Sequence, residues 1–408
     1  MNQPVFAIVG GGLAAAKLAE ALRDQQFDGT VVMIAGESHL PYDRPPLTKG
    51  YLAGKKQLSD FTLNPEQWYA DNSIDVRLNT KVTSLDRANK TLTLDDGSTL
   101  TYDKLALATG SRSKRPPIPG SDAEGVFYLR TYDDASALSE RLTDGARLAI
   151  VGAGWIGLEV AAQARSRGTE VAIVEGAQTP LYAALGPELG QVFADLHIAK
   201  GVDLRTNASV EAITVDGGKA TGLRLADGST VEADTVLVAV GAAPNIELAR
   251  DAGLDVDGGV LVDENLVTSD ADIVAVGDIA DAWHPVLNRR VRVEHWANAL
   301  NQPATAAKAM LGKPEPYARQ PYFYTDQYEL GMEYLGLAEP GNYSRVVIRG
   351  DLEALEFVAF WLDSDSRVVA GMNVNIWDLT DDIKALINSG RTVDSAALAD
   401  STIALSDV

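Results

Sequence analysis

Along this chain, unbroken apolar runs of four or five residues alternate with stretches in which apolar positions recur every three or four residues. The runs are Val5–Val9, Val31–Ala35, Leu105–Ala108, Leu148–Val151, Val171–Val174, Val236–Val240 and Ile273–Val276. Runs of this kind, without polar alternation, are those of strands covered on both faces, as in parallel sheets packed by helices. Helical spacing follows over Ala16–Leu22, from Trp155 onward, over about 187–199, and from 297 to Leu311. Between 60 and 104 the pattern predicts an inserted helix and short alternating strands, Val82–Leu85 and Thr91–Leu94, turned at Asp96-Gly97. A second β-rich stretch carries turn signals at Asp216-Gly217-Gly218 and Asp227-Gly228. After the linker Gly312–Pro316 the character changes to aromatic strands, Tyr322–Tyr324, Tyr328–Tyr334, Val346–Arg349, Leu355–Leu362 and Val368–Met372. An amphipathic helix over Asp381–Asn388 follows them.

Five of the apolar runs stop at glycine, and two of those stops share one grammar. Leu148–Val151 runs into Gly152-Ala153-Gly154, a helix opens at Trp155-Ile156-Gly157, and the next run ends at Glu175, 23 residues after Gly152. Such a turn presents backbone N–H groups and a helix N-terminus to a pyrophosphate. Gly152 permits the turn, Gly154 lets phosphates approach, Gly157 lets helix and strand pack closely, and Glu175 can accept from a ribose diol. The same unit stands at the start of the chain as Gly10-Gly11-Gly12-Leu13-Ala14-Ala15, with Glu37 27 residues after Gly10. The extra length fits a longer helix–strand loop. Ala108-Thr109-Gly110 and the stretch from Gly241 to Asn245 form a further repeated pair of strand-to-glycine turns. The expected fold is α/β, with two Rossmann-like dinucleotide-binding domains and a C-terminal α+β domain. Two such units imply two dinucleotides, most economically FAD and a nicotinamide.

Composition narrows the chemistry. The 408 residues suffice for two or three domains, and a net charge of −22 argues against nucleic acid and anionic membrane surfaces as partners. There are no cysteines, which removes disulfides, thiolate metal sites and a redox-active CxxC. The four histidines (His39, His197, His284, His295) show no metal-ligand spacing, so no metal site is expected. The N-terminus enters a strand at once, without a basic, signal-like leader, and the expected location is cytoplasmic. Two stretches leave alternatives open. The proline-punctuated loop from Leu40 to Lys49 is either a stiff connection or a rigid arm fixing Arg44 and Lys49 beside the first nucleotide. Arg289, Arg290 and Arg292 are either a solvated strand or, with Lys384, a positive rim that steers an acidic partner.

Seven motifs together carry a family resemblance. They are Tyr42-Asp43-Arg44-Pro45-Pro46-Leu47-Thr48-Lys49, Ala108-Thr109-Gly110, Gly152–Glu159, Gly241-Ala242-Ala243-Pro244-Asn245, Ala275-Val276-Gly277-Asp278, Glu294-His295-Trp296-Ala297 and Asp326-Gln327-Tyr328. Over its full length the sequence resembles the glutathione-reductase-like flavoproteins. Within them it is similar to the oxygenase-coupled, NADH-dependent ferredoxin reductases of the putidaredoxin reductase and biphenyl dioxygenase ferredoxin reductase type. The resemblance implies FAD held by Ala15, Glu37, Lys49, Val82, Arg130, Asp278 and Trp296, and NADH on the 152–175 unit. It implies an FAD domain over 1–112 and 243–318, an NADH domain over 113–242, and a C-terminal domain over 319–408. It also implies a transient, electrostatic partnership with an iron–sulfur ferredoxin of the 2Fe-2S type, which feeds a cytochrome P450 or a ring-hydroxylating dioxygenase. Tyr324 stands where relatives carry tryptophan.

On this reading Lys49 is the candidate cation at the flavin's reactive edge. Glu159 is its candidate partner and a contact for the carboxamide. Glu175, with no arginine in Gly176-Ala177-Gln178, favours NADH over NADPH. The alternatives are a carrier such as rubredoxin or an NADH-responsive flavoprotein of the apoptosis-inducing-factor kind. A membrane quinone reductase is disfavoured by Asp381, Asp382 and the acidic tail.

Overall fold

A computed structural model describes residues 3–339 and 341–408. The chain divides into two compact units. One comprises residues up to Pro45, Gln57–Arg112 and Ala242–Arg319; the other comprises Pro46–Lys56, Ser113–Gly241 and Gln320–Val408.

The first unit is built on a five-stranded parallel sheet. Its order is Ile273–Ala275, Lys104–Leu107, Val5–Val9, Thr30–Ile34 and Ile74–Arg77. The apolar runs predicted as doubly covered strands are buried here, Ala7, Ile8, Val31 and Leu105 completely. Helices Leu13–Asp24 and Trp296–Met310 pack against each other and bury their alanine-rich faces. Two three-stranded sheets complete the unit: Val82–Asp86, Thr91–Leu94, Thr99–Thr101, and Val260–Val262, Ala280–His284, Arg289–Val291. The inserted helix predicted after residue 60 is Glu66–Asp71.

The second unit repeats the parallel sheet, in the order Asp203–Arg205, Glu170–Val174, Arg147–Val151, Thr235–Val238 and Val126–Phe127. In both sheets the strand before the glycine turn lies between the acid-bearing strand and a later one, the order that opens a crevice at the strands' carboxyl ends. The long helix spans Tyr182–Ala199 and is broken by Gly186, at φ 81, ahead of Pro187. Helical spacing in the sequence recovers only the part after this break. The same unit holds a five-stranded antiparallel sheet of Tyr322–Gln327, Leu330–Gly336, Val368–Val374, Glu356–Leu362 and Arg345–Asp351. Trp361, Phe357 and Phe360 are fully buried in it. Expected as the start of a strand, Tyr328 instead occupies the tight turn after Gln327 with φ 55. Asp326 and Gln327 extend the preceding strand in its place. None of the described helices is long and apolar enough to cross a membrane.

Candidate functional site: two glycine cradles and a buried lysine–glutamate pair

In the first unit, Gly10 has φ +138, and a side chain there would begin 2.1 Å from the Ala108 carbonyl oxygen. Two residues on, Gly12 caps the Leu13–Asp24 helix with no side-chain bond to its free N–H groups. The nearest atom to a Cβ at Gly12 is Arg44 Nη2, at 3.9 Å. A helix start left open in this way, with a guanidinium beside it, is a ready anion cradle. Ala14 and Ala15 are buried on the first turn, and a Cβ on Gly277 would lie 3.3 Å from Ala14, so the Gly277-Asp278 loop abuts that helix start.

Glu37 accepts from Tyr42 Oη at 2.6 Å and from Arg44 Nη2 at 2.7 Å. Partial burial works against the Arg44 charge, but Glu37, Tyr42 and Asp278 outweigh it and raise the guanidinium pKa. The proline-punctuated loop, which turns through a 3-10 helix at Pro45–Thr48, is held by the Trp296 indole N–H donating to Asp43 Oδ1 at 2.8 Å. Desolvation pushes His295, beside the start of the Trp296–Met310 helix, down to about 4, with Asp278 partly opposing. Thr109 and Asn245 are bonded twice: the Thr109 hydroxyl donates to the Asn245 carbonyl at 2.7 Å, and the Asn245 amide donates back at 2.8 Å. Gly110 follows with φ 63, and Val82 heads an outlying strand, half-buried.

Register explains the different spacing of the two acids. Val5 pairs with Thr30, 25 positions on, and Arg147 with Glu170, 23 positions on. Gly10 N–H donates to Ile34 and Gly152 N–H to Val174, so Ala35, not Glu37, is the positional equivalent of Glu175. The longer loop therefore accounts for only half of the extra spacing. The rest arises because Glu37 lies two residues beyond the equivalent position.

In the second unit, Gly152 has φ +101 and would clash with the Ala239 carbonyl at 2.6 Å if it bore a Cβ. Gly154 caps the Trp155–Ser166 helix with no side-chain bond, and nothing lies within 4 Å of its would-be Cβ. At Gly157 a Cβ would meet the Gly152 carbonyl at 2.3 Å. Glu175 sits at the turn's rim: its Oε2 accepts from Ala153 N–H at 2.7 Å and its Oε1 from Ala177 N–H at 2.8 Å. Each oxygen keeps a lone pair for a further donor. Ile156 is 38 % exposed on the first helical turn, and Trp155 packs edge-on against Phe323 at 4.9 Å. Gly241, at φ +99, accepts from the Lys114 amide at 2.9 Å. Arg130 precedes the Tyr132–Ser139 helix, its amide donating to Asp134.

One turn further along the Trp155–Ser166 helix, Glu159 is only 6 % exposed. It accepts from the Thr48 hydroxyl on one oxygen, and from the Lys49 ammonium and the Thr325 hydroxyl (2.6 Å) on the other. The Lys49 Nζ also lies 5.5 Å from the Tyr324 ring centre. The two cations of the proline-punctuated loop thus part company: Arg44 lies beside Gly12 and Lys49 on Glu159.

Sequence reasoning missed several of these groups. Gln302, 1 % exposed, accepts the buried Gly277 N–H at 2.7 Å and so holds the Asp278 loop. Replacing it with Leu removes that acceptor and is expected to cost about 1–3 kcal/mol of stability, measured as a lowered Tm with the cofactor bound. Thr48 lies inside one of the seven motifs but has no role assigned there, and Thr325 lies outside all of them, since hydroxyl partners so distant in sequence become visible only in three dimensions.

Arg289 and Arg290 lie on the strand Arg289–Val291 and Arg292 just beyond it, and their surroundings differ. Arg290 donates to the Val262 and Asp281 carbonyls at 2.9 and 2.8 Å, and Arg292 pairs with Glu294 at 2.7 Å. Arg292 thus has a carboxylate partner, while Arg290, anchored by two carbonyls, remains exposed. Lys384 is exposed on the Thr380–Ser389 helix of the other unit.

Burial lowers the pKa of His197, His284 and His295 alike. Each must take up a proton on unfolding once the pH falls below the unfolded value of about 6.5. Stability is therefore expected to be level above about pH 7 and to fall toward pH 5, each proton contributing up to roughly 1.4 kcal/mol per pH unit. Chemical denaturation at several pH values measures the slope.

The profile of the family described as pyridine nucleotide-disulphide oxidoreductase matches residues 5–303, and that described as reductase C-terminal matches residues 322–408. The chain is 40 % identical to the anthranilate 1,2-dioxygenase system ferredoxin–NAD(+) reductase component of Burkholderia cepacia, over 99 % of both chains. It is 36 % identical to putidaredoxin reductase of Pseudomonas putida, covering 98 % of this chain and 96 % of that one. Its fold matches the reductase in the crystal structure of the covalent putidaredoxin reductase–putidaredoxin complex with a TM-score of 0.95, at 34 % identity, covering 100 % of this chain and 98 % of that one.

Proposed function

The chain belongs to the pyridine nucleotide-disulphide oxidoreductase family, and we propose that it is an NADH-dependent ferredoxin reductase, with FAD as resident cofactor, that supplies an oxygenase. The observation that carries this reading is the duplication: two open glycine cradles, each with an acid nearby, in one chain. Residues 1–112 and 243–318 form the FAD domain, 113–242 the NADH domain and 319–408 the C-terminal domain. FAD, when bound, would supply the redox chemistry that links a two-electron nicotinamide donor to a one-electron carrier.

The chain's own part is to bind, orient and supply charge. The open N–H groups behind Gly12, with Arg44, would hold the FAD pyrophosphate, and Glu37, Val82, Arg130, Asp278 and Trp296 would complete its binding. Gly154 receives the NADH pyrophosphate, Glu175 its ribose, and Ile156 offers the coenzyme an apolar surface. Lys49, aimed by Glu159, stabilises negative charge on the reduced ring. With no cysteine in the chain, electrons cannot leave through a thiol, and they cross to the carrier directly. The enzyme works in the cytoplasm, where NADH is supplied.

Purified protein is expected to be yellow and to bleach on anaerobic addition of NADH. It should then reduce a 2Fe-2S ferredoxin from a panel that also includes a rubredoxin. A colourless preparation, or a flavin that NADH does not bleach, overturns the reading. Preference for rubredoxin would change the carrier and keep the enzyme class.

A further inference from the structure

His197 has no accessible surface and belongs to neither cradle. Its Nε2 lies 2.9 Å from Gln327 Oε1. Gln327, also fully buried, donates from its Nε2 to Thr325 Oγ1 at 3.2 Å, and Thr325 donates to the Glu159 oxygen that Lys49 holds.

Each link has one permitted direction, because a carboxylate oxygen and an amide oxygen only accept. Thr325 gives its single proton to Glu159 and so must accept from Gln327. The amide therefore points its nitrogen at Thr325 and its oxygen at His197. The imidazole must then carry its proton on Nε2. Its Nδ1 is buried and, among the described residues, has no hydrogen-bond partner, and burial lowers the ring's pKa, so the neutral Nε2–H tautomer satisfies the chain. Tyr328, in the tight turn after Gln327, covers the imidazole edge-on at 5.1 Å.

We propose that His197 and Gln327 are positioning residues for the Lys49–Glu159 pair, holding the Thr325 hydroxyl on the carboxylate so that Glu159 aims the ammonium. The functional half of this inference rests on the reading of Lys49 and Glu159 given above. Without the imidazole donor the Gln327 amide is free to turn over. Its oxygen then faces Thr325, takes that hydroxyl proton, and leaves Glu159 to Thr48 and Lys49 alone.

Holoenzyme labelled with nitrogen-15 in its histidine rings tests the chain directly. Of four histidines, His197 is identified by the signals absent from His197→Gln. The expected state at pH 7 is neutral with the proton on Nε2; a protonated ring or an Nδ1–H tautomer overturns the proposal.

Kinetics test the consequence. His197→Phe is expected to slow flavin reduction by NADH about tenfold, as suits the loss of one hydrogen bond to a charged group. His197→Gln, which keeps an N–H donor near the same place, should stay within about twofold of the parent. In a Lys49→Met background His197→Phe should add no more than about twofold, because its effect runs through Lys49. A parental rate in folded, flavin-loaded His197→Phe overturns the proposal, as does an undiminished further loss in the double variant. If His197→Phe does not fold, Gln327→Leu carries the same expectations. A parental rate in Lys49→Met alone overturns the reading of Lys49, and the nitrogen-15 signals then judge the hydrogen-bond chain by themselves.

Discussion

Replacing Lys49 with Met is expected to slow reduction of the bound flavin by NADH by about 10²- to 10³-fold, the scale of removing one preorganised charge from a developing anion. The ammonium is 15 % exposed, paired with Glu159 and facing the Tyr324 ring. Its position is set before coenzyme arrives, so little reorganisation accompanies hydride transfer. Methionine keeps the length of the stem and removes only the charge and its donors. Glu159 is not orphaned by the change, since Thr48 and Thr325 still donate to its two oxygens. The variant should therefore fold, bind FAD and fail at one step. Anaerobic stopped-flow spectroscopy reads that step alone, and an unchanged rate would remove Lys49 from the mechanism.

The second large effect concerns coenzyme choice. kcat/KM for NADH is expected to exceed that for NADPH by roughly 10²-fold or more, since bringing a 2′-phosphate against a carboxylate costs several kcal/mol. Glu175 is committed to that rim by two backbone N–H groups, from Ala153 and Ala177, and cannot swing away without leaving both unsatisfied. Glu175→Gln keeps an acceptor for one of them and loses the charge. It should weaken NADH use modestly and shrink the preference at least about tenfold. Comparable kcat/KM values for the two coenzymes in the parent enzyme would falsify this assignment.

Both cradles were legible in the chain because each is local. Strand, glycine turn, helix start and acid lie within about forty residues, and the first glycine of each turn is the one a side chain would drive into a carbonyl, Gly10 into Ala108 and Gly152 into Ala239. The neighbouring groups were legible only as motifs. Arg44 reads equally well as a solvated surface residue until the fold carries its guanidinium to within 3.9 Å of where a Cβ on Gly12 would stand. That Arg290 is anchored by two backbone carbonyls, Val262 and Asp281, is likewise invisible in the sequence. Tyr328 shows how a run can mislead: its aromatic ring suits a strand, but the hairpin needs a positive φ there.

By itself, then, the order of residues determined that this protein has two α/β nucleotide-type units, carries no thiol chemistry, and places an acid shortly after the second strand of each unit. Those properties depend on periodicity, on turn glycines and on the absence of one amino acid, all expressed over short stretches of chain. The pairing of Lys49 with Glu159 was expected from the motifs; the tertiary structure alone added Thr48 and Thr325 around the carboxylate, with Gln327 and His197 behind them. Apart from the Gln327–Thr325 link, these bonds join positions more than a hundred residues apart, and no local pattern encodes that meeting.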